Sequence, residues 1–74
     1  MTEDGLQIIT EAYEKLEGEK RKIFLQQLKF NPLRIELELR RQLADFPKVA
    51  DPVLAAQELV SRFKVRFAKE MLDL

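Results

Sequence analysis

Between Pro52 and the C-terminus, Val53, Ala56, Val60, Phe63, Phe67 and Met71 recur at steps of three and four residues. That spacing puts all six on one face of an α-helix, whereas the alternating faces of a β-strand would scatter them. Asp51-Pro52 supplies a matching start: a carboxylate that can cap, then a residue whose fixed φ suits the first helical position. One helix is therefore expected from Pro52 almost to Leu74. The rest of the chain has to cover its apolar stripe.

A second proline start lies upstream. In the segment KFNPLRI, Asn31 can cap, Pro32 fits the first turn, and Phe30 can staple onto Ile35. Ile35, Leu37 and Leu39 alternate with Glu36 and Glu38 as a strand would. Against that, Ile35, Leu39, Leu43 and Phe46 keep a 4-4-3 spacing, and Glu, Leu, Arg and Gln favour helix. Glu36→Arg40 adds an i,i+4 pair. Helix is expected from Pro32 to Phe46, where Pro47 stops it.

The first stretch carries Leu6, Ile9, Tyr13 and Leu16 on one face, with Ile8 and Ala12 beside it. Asp4 with Gln7 reads as a capping-box start, and Glu11→Lys15 as an i,i+4 pair. At about 100° per residue, Phe24, Leu25 and Leu28 point well around the cylinder from the first face. A supercoil drifting ~20° per heptad cannot absorb that phase change. A break near Gly18 is expected, with the charged EGEKRK segment as its corner. Lys20-Arg21-Lys22 is read there as solvated.

The fold expected from these elements is all-α: a small antiparallel bundle of three main helical stretches, the first broken near Gly18, in one domain spanning residues 1–74. With no Cys, no His and no Trp, the chain lacks a disulfide framework, the usual zinc ligand sets and any imidazole-based triad. Its two glycines form no phosphate-binding loop. No enzyme activity, cofactor or metal is expected. The acidic start MTEDGLQ has no signal-like apolar core, and no apolar run approaches a membrane span. A cytoplasmic protein without membrane contact is the default reading.

A chain this small, without disulfide or metal, must pack very well or associate. Two stretches carry apolar residues on a second face: Leu33 and Leu37 on one, and Leu54, Val65 and Leu72 on the other. Either these are core or they form an interface with a protein partner or a second copy. The interface reading makes the chain a non-catalytic helical interaction module, a small adaptor, regulator or assembly factor that self-associates. Its contact residues are Leu54, Val65 and Leu72, with Arg62, Arg66 and Lys69 as an orienting rim.

The alternative is a nucleic-acid-binding regulator that uses this basic stripe. Net charge is zero, with 13 basic and 13 acidic residues, and Glu58, Glu70 and Asp73 can neutralise the stripe. Nucleic acid is therefore the weaker reading. A helix-turn-helix across Pro47–Asp51 is disfavoured too, because Pro52-Val53-Leu54-Ala55-Ala56 cannot make bidentate contacts to bases.

Overall fold

The computed structural model describes residues 5–74, and helices are its only regular elements. They are α1 (Gly5–Glu14), α2 (Gly18–Phe30), α3 (Pro32–Leu43), α4 (Pro52–Arg66) and α5 (Ala68–Leu72). The cap expected at Asp4 lies outside the described residues.

The break near Gly18 is present. α1 winds down through hydrogen bonds from Lys15 N–H to the Glu11 carbonyl (3.1 Å) and from Leu16 N–H to the Tyr13 carbonyl (3.3 Å). Glu17 is extended, and Gly18 has a φ of +61°. A side chain at Gly18 would meet nothing within 4 Å, so glycine serves the backbone angle there and not the space. Gly5 is the opposite case. A Cβ on it would fall 2.6 Å from Phe46 Cγ, so the start of α1 approaches that ring as only glycine can.

Both proline starts are used, with different caps. Asp51 accepts a hydrogen bond from Leu54 N–H at 3.2 Å and opens α4 as expected. The Asn31 side chain makes no cap bond; its backbone N–H instead closes α2 on the Gln27 carbonyl at 2.8 Å. Phe30 does not staple onto Ile35, since its ring is 69% exposed with the Lys29 ammonium 5.3 Å from its centroid. α3 also stops three residues before the expected Phe46. Tight turns from Asp45 to Gln42 and from Phe46 to Leu43 carry the Phe46 ring back onto Gly5.

The last stretch is two helices instead of one. Phe67, at φ −104° and ψ 17°, interrupts it. The bonds Phe67 N–H to Phe63 O (2.9 Å) and Met71 N–H to Phe67 O (3.0 Å) still span four residues. The apolar spacing therefore runs on across the bend, which is why periodicity alone could not reveal it.

A single core joins Ile9 of α1, Phe24, Leu25 and Leu28 of α2, Ile35, Leu39 and Leu43 of α3, and Ala55, Ala56, Leu59, Val60 and Phe63 of α4, with Phe67 at the bend. Leu59, which the 3-4 stripe leaves out, is fully buried, while Val53 at the head of that stripe is exposed. Tyr13, Phe24, Phe63 and Phe67 form an aromatic cluster. Phe24 meets Phe63 and Phe67 edge-to-face, at centroid distances of 5.5 and 5.6 Å, a geometry that suits the ring quadrupoles.

Arg21 corrects the solvated-corner reading. Its Nε and Nη2 donate to the Glu70 carboxylate at 3.0 and 2.8 Å, and Nη1 donates to the carbonyls of Leu16 (3.1 Å) and Glu14 (3.3 Å). The guanidinium carbon lies 5.0 Å from the centroid of the Phe67 ring. One side chain of α2 thereby links the end of α1 to Glu70 of α5. The hydrogen bond to Glu70 pushes its pKa above the ordinary arginine value, so it stays charged.

Candidate functional site

The second apolar faces are not core. Leu33 and Leu37 of α3 are exposed, as are Leu54 (59%), Val65 (79%) and Leu72 (79%). Leu54 and Val65 are eleven residues apart, about 16 Å along α4 and within ~20° of the same azimuth. They point away from the core side that holds Ala56, Val60 and Phe63. Ser61 lies between them, exposed, with a side chain too small to shield either. Val65 and Ser61 share a shallow surface depression with Arg62 and Arg66. Leu72 and Lys69 lie beyond the bend at Phe67 on α5, so the six residues read from the sequence as one stripe occupy two helices.

The charges of this face have other partners than those expected. Glu70 goes to Arg21. Arg66 Nε meets Glu14 Oε2 of α1 at 3.3 Å, and its guanidinium carbon lies 5.5 Å from the Phe67 ring centroid. Arg62 borders a cleft that also contains Glu11 and Glu14. Two α1 carboxylates thus sit beside the basic stripe, a proximity that only the tertiary fold creates. On α3 the ion pair is Arg41–Glu38 at 2.6 Å, and not Glu36 with Arg40.

A third concave feature, not anticipated from the sequence, lies where α1, α2 and α3 meet. It is a groove of about 420 Å³. Phe24 and Ile35, both buried, face it, together with Leu16 and Ile23; Ile23 is 47% exposed. Tyr13, Gln27, Lys20, Arg34 and Glu38 add polar groups. Glu38 accepts from Arg41 at 2.6 Å and Gln42 at 3.2 Å, and these bonds hold its carboxyl below the usual carboxylate range. The Tyr13 hydroxyl accepts from Gln42 Nε2 at 3.3 Å. Burial pushes the phenol above its ordinary pKa. The lining residues come from three helices and the α1–α2 connection, so no spacing rule could have assembled the groove.

Among the described residues no three acidic side chains come together as a metal-binding group would require. Among the same residues no helix is long and apolar enough to cross a membrane. Compared with protein-family models, with curated proteins and with solved structures, this chain finds no match.

Proposed function

We propose that this chain is a non-catalytic helical protein–protein interaction module, a small adaptor, regulator or assembly factor that self-associates as an antiparallel helical bundle. It docks through the outer face of α4 and α5, where Leu54, Val65 and Leu72 make the apolar contact and Arg62, Arg66 and Lys69 orient it. The observation that carries this reading is the exposure of Val65 (79%) and Leu54 (59%) on the side of α4 opposite Phe63, which is 1% exposed. Full burial of one such aliphatic side chain is worth ~1.5–3 kcal/mol, which an intermolecular contact can recover and the monomer forgoes. Ser61 between them lets a second helix approach closely. The nucleic-acid alternative has less support, because Glu11 and Glu14 stand beside Arg62 and Arg66 and would repel phosphate.

Val65→Glu tests the proposal. Assembly would have to desolvate an unpaired carboxylate, which the monomer leaves in water. Light scattering across a concentration series should show the wild type associating above its monomer mass of 8.7 kDa. The variant should remain monomeric with unchanged helical circular dichroism. A wild type that stays monomeric at every concentration sinks the self-association. A variant that assembles as the wild type does overturns the Val65 face as the contact surface.

A further inference from the structure

We propose that the groove between α1, α2 and α3 binds a single-chain amphiphile with a carboxylate head group. This inference does not rest on the α4 face. Its first support is the shape: at about 420 Å³ the groove falls within the range of small-molecule sites, towards the small end. That suits one alkyl chain better than two. Phe24 and Ile35 give it an apolar floor, and Leu16 and Ile23 extend it to the surface. An isoleucine half in water at the edge of a concave apolar surface gains by being covered.

The second support is the charge and donor inventory. Lys20 comes from α2 and Arg34 from α3, both are exposed, and neither has an ion-pair partner among the described residues. The Tyr13 hydroxyl accepts from Gln42, which leaves its own O–H free to donate. Glu38 is the single carboxylate in the lining; its Oε1 is engaged by Arg41 and Gln42, and the positive charge of Arg34 also acts on it. Two cations and one carboxylate leave a net charge of +1 around the groove. That matches a monocarboxylate better than a dianionic phosphate. An arginine fork beside a planar two-oxygen head is also the geometry in which charged hydrogen bonds are strongest.

The chain has one tyrosine and no tryptophan, and that tyrosine lines the groove. Tyrosine emission therefore reads occupancy directly. Titration with dodecanoate, kept below its micelle threshold at neutral pH, should change the emission saturably at one molecule per chain. Arg34→Glu and Ile23→Glu should each weaken binding about tenfold or more, since one reverses the head-group charge and the other puts a carboxylate in the chain's path. Both residues are exposed, and circular dichroism checks that the variants fold. Val65→Glu should bind like the wild type, so failure here and failure of the α4 interface are separate results. Dodecyltrimethylammonium should produce no saturable change. The proposal is overturned by a non-saturating response to dodecanoate, by equal binding of the cationic amphiphile, or by indifference to both groove variants. Dodecyl phosphate binding as tightly as dodecanoate would overturn the carboxylate assignment. Capture by phosphatidylserine vesicles with no response to dodecanoate would replace the small ligand with a membrane surface.

Discussion

Gly18→Ala separates backbone conformation from packing with unusual clarity. Gly18 opens α2 at φ +61°, just after the break from α1, and a methyl group there would touch nothing within 4 Å. No steric clash enters, so the cost is the left-handed conformation itself, ~1–2 kcal/mol for an L-residue. Alanine's stiffer unfolded chain returns a part of that, ~0.4–1 kcal/mol. The net expectation is a loss of about 1 kcal/mol, or roughly 4–8 °C in melting temperature for a domain of this size. If α1 and α2 were one helix with Gly18 inside, the same substitution would instead gain ~1 kcal/mol from propensity. The two arrangements differ in sign. Urea unfolding followed by circular dichroism decides between them, with the slope of the transition unchanged. A chemically synthesised chain with D-alanine at position 18 supplies the converse, because positive φ is relaxed for that residue; it should be more stable than the wild type. A clear gain with L-alanine would refute the break, and a loss with D-alanine would refute its attribution to φ.

Two further outcomes follow from the polar groups that hold the helices together. Arg21→Met keeps the stem over Phe67 but removes the bonds to Glu70, Leu16 and Glu14; with both partners partly exposed the loss should be about 1 kcal/mol. It should appear first as faster amide exchange in α5, and unchanged protection of residues 68–72 would show that the clamp does nothing. Tyr13 has a folded pKa raised above the ordinary phenol value of about 10. Its contribution is therefore complete below that value and is lost as pH rises through the folded pKa. Tyrosinate absorbance, free of tryptophan, should titrate at higher pH in the folded chain than in urea. Ionisation at the same pH in both would contradict the burial of the ring.

Much of the helix layout could be read from local chemistry. Proline fixes φ within its own residue, so Pro32 and Pro52 mark helix starts wherever the chain goes. The apolar spacing of Ile35, Leu39 and Leu43, or of Ala56, Val60 and Phe63, identifies a buried face because helical geometry ties sequence distance to direction. The phase change across Gly18 is local in the same sense. Stop positions were less legible. α3 ends at Leu43 because Phe46 turns back onto Gly5, forty-one residues upstream, and the bend at Phe67 leaves the apolar period intact.

The sequence also named Leu54, Val65 and Leu72 as a second face, but it could not tell core from surface. That choice depends on how many neighbours α4 has, which is a property of the assembled helices. Charge partners are decided at the same level. Local spacing offered Glu70 to Arg66 and Lys69, whereas the fold gives it to Arg21, forty-nine residues away, and gives Glu14 to Arg66. The groove is the extreme case, since Tyr13, Lys20 and Arg34 belong to three segments. Backbone angles and helical faces follow from neighbours in the chain, so the sequence by itself determined them. Ion pairs, helix stops and concave surfaces follow from neighbours in space, and only the tertiary structure brought those together.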